Sequence, residues 1–196
     1  MSARTGPDGY PRSWVLEISL AAGRGVVAEQ RWWPGSTVGR PPEGADWWSG
    51  YPQTVAVFDL EGDGRDEVFV KVIEHILHGG SVPDHAIFTL RRGRLVPLRG
   101  EDGEIFIVPL GGVSYFGHGM RCNDITGDGR RELVVLRVEN AATSTPDWSR
   151  RFYELRGTTL VLIGRKEGTI ARDGFPDPDV DLFYRLRCDG TEVRLW

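Results

Sequence analysis

The sequence predicts an all-β domain built from repeats, and three observations lead to this fold class. An acidic, glycine-rich loop occurs twice at a nearly constant spacing, each loop is followed by a strand of near-continuous apolar character, and no long stretch has helical periodicity. At 196 residues the chain is long enough to bury a substantial core in one domain.

The repeat is visible in two separate pairs of segments. Residues 58–70 (FDLEGDGRDEVFV) match residues 123–135 (NDITGDGRRELVV) at an offset of 65. Downstream, residues 88–98 resemble residues 152–162 at an offset of 64. Because two independent segments share nearly the same period, the similarity indicates one structural unit used twice.

Each unit has the same predicted order: an acidic loop, a β-branched strand, a polar connection and a hairpin centred on Gly93 or Gly157. The strands 67–72 and 132–138 are apolar on both faces, which is typical of strands that are covered on both sides.

The chain is predicted to be one domain with partial units at its ends. Hairpins are expected within residues 14–30, with the turn near Gly23, and within residues 183–196, with the turn at Asp189 and Gly190. The resulting domain assignment is a disordered segment over residues 1–13 and a single β-repeat domain over residues 14–196, with clear repeats at 54–100 and 119–165.

Composition and charge exclude several function classes. The net charge is −4, and the 24 basic residues are dispersed among 28 acidic ones, so the basic surface of a nucleic-acid-binding protein is not expected. No apolar run is long enough to span a membrane, and residues 1–13 show no signal peptide. Lys71 and Lys166 are the only lysines, a bias associated with high-GC bacteria.

The two cysteines, Cys122 and Cys188, allow either one disulfide or two buried thiols.

The acidic loops have the pattern of a hard-cation site. Ca²⁺ takes six to eight oxygen ligands, which a short loop supplies from alternate residues, with glycines where the backbone curls tightly. Counted from the first aspartate, positions 1, 3, 5 and 9 provide side-chain oxygens and position 7 provides a carbonyl. These residues are Asp59, Glu61, Asp63, Glu67 and Arg65 in the first loop, and Asp124, Thr126, Asp128, Glu132 and Arg130 in the second.

Both loops resemble the D-x-D-G-D-G-x-x-D/E-L pattern of the FG-GAP and VCBS repeats, which the integrin α-chain propeller also carries. The resemblance covers residues 54–164 well and the ends of the chain weakly. It implies a β-propeller-like array in which each loop joins two strands of a blade and binds Ca²⁺. At this period 196 residues supply about three blade-type units, so the array is expected to be short or incompletely closed, unless copies associate to complete it.

The loops also depart from the family pattern. Position 3 is Glu61 in one loop and Thr126 in the other, and Arg130 and Arg131 follow closely in the second loop. The second site is therefore expected to be the weaker of two Ca²⁺ sites. The alternative is that both loops are acidic turns that fold without metal.

Other residues suggest alternative chemistry. His75, His78 and His85 form the one candidate transition-metal cluster, for which a solvent-facing loop is the simpler interpretation. A stacking platform for a sugar or peptide is a further alternative, although core packing is the favoured interpretation of these aromatic residues. Its residues are Trp32, Trp33, Trp47, Trp48 and Tyr51.

The sequence therefore favours a calcium-binding repeat module with a structural or protein-interaction role, and not an enzyme. The alternatives are a carbohydrate-binding module that uses its Trp-rich loops and a hydrolase that uses an acidic residue or His118. The partner, a protein or a glycan, is left open. The family resemblance implies a secreted or cell-surface location, and a cytoplasmic one is the alternative.

Overall fold

The computed structural model describes residues 2–5, 11–19, 25–30, 53–77, 80–113, 116–139, 145, 147–169 and 185–194. Within these ranges the chain forms strands, turns and bends, and it contains no helix. The all-β fold class is therefore confirmed. No helix of the described chain is long and apolar enough to cross a membrane.

The strands are numbered in chain order. They are β1 (Ser2–Thr5), β2 (Pro11–Ser19), β3 (Gly25–Gln30), β4 (Gln53–Phe58), β5 (Glu67–Leu77), β6 (Gly80–Arg91), β7 (Arg94–Pro97), β8 (Ile107–Pro109), β9 (Gly111–Val113), β10 (Phe116–Asn123), β11 (Glu132–Glu139), β12 (Asp147–Arg156), β13 (Thr159–Thr169), β14 (Arg185–Cys188) and β15 (Thr191–Arg194).

These strands form three sheets, of three, five and seven strands. The small sheet has the order β1-β2-β3, the five-stranded sheet has the order β4-β5-β6-β7 with β8 beside β6, and the seven-stranded sheet has the order β13-β12-β11-β10-β14-β15 with β9 beside β10. Neither of the two larger sheets closes on itself. Each contains one four-stranded antiparallel unit, β4 to β7 or β10 to β13, so the predicted repeat is confirmed.

Strand pairing corrects the alignment of the predicted hairpins by one residue. Val68 lies opposite Phe88 in the first unit, and Leu133 lies opposite Tyr153 in the second, so the offset stays at 65 and Phe88 corresponds to Tyr153, not to Phe152. Aligning the sequences of the two hairpins on their turn glycines gives an offset of 64, because these glycines occupy different positions within their turns. The first turn is Arg92-Gly93 and the second begins at Gly157.

The two larger sheets pack against each other across a central core. The first sheet contributes Phe69 and Ile87, and the second contributes Leu133 and Leu155, all at most 2% exposed. At the offset of 65, Phe69 corresponds to Val134, which lies on the opposite face of its own sheet in a separate cluster. One unit therefore presents its front face to the back face of the other, which is a head-to-tail contact between repeats.

Further apolar clusters cover the outer face of each sheet. On the first sheet, the outer cluster contains Val68, Val70, Val72, Ala86, Phe88 and Leu95. On the second sheet, it contains Val134, Leu136, Val138 and Phe152, with Trp148 packed against them. Strands β5 and β11 are thus apolar on both faces because both faces are buried, as the sequence predicts.

The ends of the chain form the two predicted hairpins. Strands β2 and β3 pair antiparallel, and so do β14 and β15, whose turn at Asp189 and Gly190 has positive φ angles of 50° and 73°. The segment 1–13, expected to be disordered, contains β1 and the start of β2.

Strand β14 extends the second sheet by pairing in parallel with β10, and this brings the cysteines together. Cys122 and Cys188 form a disulfide with their Cα atoms 4.8 Å apart. Of the two alternatives that the sequence leaves open, the structure therefore has the disulfide.

Candidate metal centre

Each acidic loop joins the first two strands of its unit, β4 to β5 for the first loop (residues 59–67) and β10 to β11 for the second (residues 124–132). The glycines at positions 4 and 6 adopt left-handed conformations in both loops. Their φ angles are 78° at Gly62, 81° at Gly64, 78° at Gly127 and 87° at Gly129. Residues with a Cβ rarely adopt these angles, so the glycines allow the tight curl of each loop.

The aspartates at positions 1 and 5 hold each loop in shape. The position-1 carboxylate accepts hydrogen bonds from the backbone amides of positions 4 and 6, at 2.7 and 2.9 Å for Asp59 and at 2.6 and 3.0 Å for Asp124. The position-5 carboxylate accepts one from the amide of position 7, at 3.0 Å for Asp63 and 2.9 Å for Asp128. The two loops therefore share these glycine conformations and these three backbone-to-carboxylate hydrogen bonds.

The glutamate at position 9 is buried in both loops, since Glu67 and Glu132 are each 2% exposed. One oxygen accepts a hydrogen bond from the amide of position 2, at 3.0 Å for Glu67 and 2.6 Å for Glu132. The other oxygen accepts a hydrogen bond from a threonine hydroxyl. The donor is Thr89 for Glu67, at 2.9 Å, and Thr126 for Glu132, at 3.0 Å. Burial raises the pKa of Glu67 to about 7, although the two hydrogen bonds to this carboxylate act to lower it. The nearby carboxylates of Glu61 and Asp63 add to the increase.

Two arginines of the second loop reach across to the first loop. Arg130 forms an ion pair with Glu61, which is only 7% exposed. Arg131 donates a side-chain hydrogen bond to the Asp59 carbonyl at 2.9 Å and forms an ion pair with Asp189, also at 2.9 Å. The backbone amide of Arg131 donates to the Glu61 carbonyl at 3.0 Å. The two loops are therefore neighbours, joined by these arginines.

This arrangement changes the argument about which loop has the lower Ca²⁺ affinity. The sequence suggests that Arg130 and Arg131 weaken the second loop, whereas the structure directs both side chains at the first loop. In the described part of the chain, the side chains of Asp124, Asp128 and Glu132 form no salt bridge. Thr89, Arg131 and Asp189 were not among the predicted site residues, because only the sheet register and the packing of the two sheets bring them to the loops.

The fit of the loops to a metal ion is partial. The donor chemistry suits Ca²⁺, because each loop gathers carboxylate, hydroxyl and carbonyl oxygens within nine residues. In the described ranges, which include both loops in full, no three His, Cys, Asp or Glu side chains are grouped so that they could hold a metal ion. The carboxylates instead point at backbone amides and, for Glu61, at Arg130.

The other candidates from the sequence are placed differently. His85 is buried in β6, where its ring stacks on Phe69 at a centroid distance of 4.9 Å, so it does not lie on a solvent-facing loop. The side chain of His75 and the whole of His78 lie outside the described residues, as do the five aromatic residues considered as a stacking platform. Trp148 packs against the outer cluster of the second sheet.

His118, considered as a hydrolase residue, lies on β10 opposite Arg137 of β11. Its ring contacts Phe116 edge-on at a centroid distance of 5.7 Å. Burial, and secondarily the charge of Arg137, lower the pKa of His118 to about 4. The folded protein therefore holds this imidazole neutral at neutral pH.

This shift predicts a loss of stability in acid. Because the folded pKa is below the unfolded value of 6.5, the unfolded chain binds a proton that the folded chain does not, so stability is complete above pH 6.5 and falls towards pH 4. The loss from this one group is at most about 3 kcal/mol. Urea unfolding of the wild type and of His118→Gln between pH 7 and pH 4 measures this loss. If the free energy of unfolding falls equally in the two proteins, His118 is not its source.

In the comparisons with known proteins, no protein-family model, no curated protein and no solved structure matches this chain.

Proposed function

We propose that this protein is a blade-type repeat module that binds Ca²⁺ in its acidic loops, where the ion stabilises the strand-to-strand turn. The observation that carries the proposal is the similarity of the two loops. Aspartates at positions 1 and 5, left-handed glycines at positions 4 and 6, a buried glutamate at position 9 and the hydrogen bonds to the position-1 carboxylate recur 65 residues apart, at the same place in two four-stranded units. Each loop places carboxylates at positions 1, 5 and 9, and carboxylate oxygens are the ligands that Ca²⁺ prefers.

The hydrogen bonds within the loops are compatible with this function. A carboxylate has about four acceptor positions, so an aspartate that accepts backbone amides retains lone pairs for a metal ion. Coordination would require the position-9 glutamate to turn from its amide and hydroxyl partners toward the loop. The second loop is the stronger candidate, because its carboxylates form no salt bridge in the described part of the chain.

The architecture supports a structural or interaction role. The head-to-tail contact of the two units is the way in which successive propeller blades pack, and the outer face of each unit carries a second buried apolar cluster. Further partial units or a second copy would complete such an array. The disulfide favours an oxidising compartment, which is consistent with a secreted or cell-surface location where millimolar calcium saturates weak sites.

Calcium titration by calorimetry, on protein stripped with EDTA, tests the proposal. The wild type is expected to bind Ca²⁺, and a calcium concentration 100-fold above the Kd is expected to stabilise it by about 2.7 kcal/mol per site in urea unfolding. Asp128→Asn should abolish the tighter event. The matched control is Asp102→Asn, which changes an exposed aspartate in a turn outside both loops and should leave binding intact. If the wild type gives neither heat nor stabilisation at millimolar calcium, the loops are metal-independent turns.

A further inference from the structure

A groove lies at the end of the second sheet that is remote from the acidic loops. It has a volume of about 530 Å³, within the range of ligand-binding pockets, and its lining residues belong to β11, β12 and β13. Strand β11 runs from Glu132, in the second acidic loop, to Glu139, in the groove, which places the groove about 20 Å from that loop. We refer to it as the distal groove.

Strand pairing places the lining side chains on one face of the sheet. Residues directly opposite each other in antiparallel strands point to the same side, as do residues two positions apart in one strand. Ser149 of β12 lies opposite Arg137 of β11 and Glu167 of β13, in the middle of the groove. Val135, two positions before Arg137, packs against the central core, so the groove continues the face that the second sheet turns toward the first.

Charges are segregated along the distal groove. At the end near the core, Arg151 and Arg165 lie directly opposite each other on β12 and β13, and Arg137 is diagonal to Arg151. At the far end, Glu139 and Asp147 lie directly opposite each other on β11 and β12. The groove therefore has a positive end and a negative end.

The positive end favours a bound carboxylate. Like charges directly opposite each other on neighbouring strands destabilise a sheet. Arg165 forms an ion pair with Glu167, whereas Arg151 forms no salt bridge within the described residues. A carboxylate between Arg151 and Arg165 would relieve their repulsion and accept charge-assisted hydrogen bonds from both guanidinium groups.

The negative end favours an ammonium group for the same reason. Glu139 forms an ion pair with Arg137 along β11, and Asp147 places a second carboxylate opposite Glu139. Ser149 lies between the two ends, where its hydroxyl can donate to a carbonyl or accept from an amide. The groove thus offers partners to both charged ends of a ligand and to a polar group between them.

We propose that the distal groove binds a short zwitterionic peptide, with its carboxylate at Arg151 and Arg165 and its ammonium group at Glu139 and Asp147. Arg151 and Asp147 are four positions apart on β12, or about 13 Å between their Cα atoms. An extended peptide of three residues spans about 10 Å, and the long side chain of Arg151 bridges the remainder. Because the groove is separate from the acidic loops, this inference is independent of calcium binding.

NMR titration in EDTA with triglycine and two modified forms tests the charge pattern. N-acetyltriglycine lacks the ammonium group and triglycine amide lacks the carboxylate, while both keep the peptide length. Triglycine is expected to bind with a Kd of about 1 mM, as its size allows. Each modified form should bind about tenfold more weakly, the factor that corresponds to one charge-assisted hydrogen bond.

Two variants assign the ends of the peptide. In Arg151→Gln, the difference between triglycine and triglycine amide should fall to about threefold, the contribution of one exposed ion pair, because only Arg165 remains. In Asp147→Asn, the difference between triglycine and N-acetyltriglycine should fall likewise. The matched control is Arg156→Gln, which removes an arginine from the opposite face of β12 and should leave both differences unchanged.

Equal binding of triglycine and N-acetyltriglycine to the wild type would overturn the inference, because the groove would then be a simple anion site. Equal binding of triglycine and its amide would overturn it in the same way. So would an absence of binding at about ten times the expected Kd. Equal effects of Arg151→Gln and Arg156→Gln would show that the peptide binds outside the distal groove.

Discussion

Loss of the Cys122–Cys188 disulfide is expected to lower the free energy of unfolding by about 4 kcal/mol, in the chain-entropy account of a cross-link that closes a loop of 66 residues. The bond joins β10 to β14, and within the described residues these two strands pair at two positions, Met120 with Leu186 and Arg121 with Arg187. Cys188 is itself 1% exposed within the central core. Without the cross-link, this short parallel pairing is the only described strand pairing that joins the carboxyl-terminal hairpin to β10.

The measurement is urea unfolding of the wild type and a Cys122→Ala/Cys188→Ala variant, each with and without reductant. Reduction should destabilise the wild type to about the level of the double variant and leave the variant unchanged. A wild type whose unfolding midpoint is insensitive to reductant would show that the two thiols are not joined in solution.

Phe69→Ala is expected to destabilise the protein by about 4 kcal/mol, the usual cost of removing a large aromatic side chain from a packed core. Phe69 is fully buried between the two large sheets. Its ring lies 5.9 Å from that of Phe58 and 4.9 Å from the imidazole of His85, so its removal leaves a cavity bounded by both.

Val57→Ala is the matched control, because Val57 belongs to the same sheet but is 49% exposed. Its effect should stay within about 0.5 kcal/mol. Comparable losses in the two variants would mean that the two sheets do not meet across Phe69, and would remove the basis for a head-to-tail contact between the repeats.

The repeated loop was predictable because its constraints are local. A carboxylate at position 1 reaches amides three and five residues away, and residues other than glycine rarely adopt the required backbone angles. The spacing of Asp59, Gly62 and Gly64 therefore recurs in the second loop, and each loop is followed by a similar apolar strand. The hairpin alignment failed by one residue because a turn accepts glycine at either of two positions, and only strand pairing fixes the register.

The contacts between the two loops were not predictable, because they depend on how the sheets pack. In the sequence, Arg130 and Arg131 are simply two positive charges within the second loop. The head-to-tail contact of the units turns these side chains toward Glu61 and Asp59, about 70 residues earlier in the chain. Thr89 reaches Glu67 for a similar reason, across the pairing of β5 with β6.

The sequence by itself determined the all-β class, the repeat, the two loop conformations and the terminal hairpins, since each follows from side-chain type and spacing within a few residues. Only the tertiary structure decided the disulfide, the face that each large sheet turns toward the other and the ion pair between Arg130 and Glu61. These features join residues far apart in the chain, and their energies depend on burial and on distances that close only when the two sheets come together.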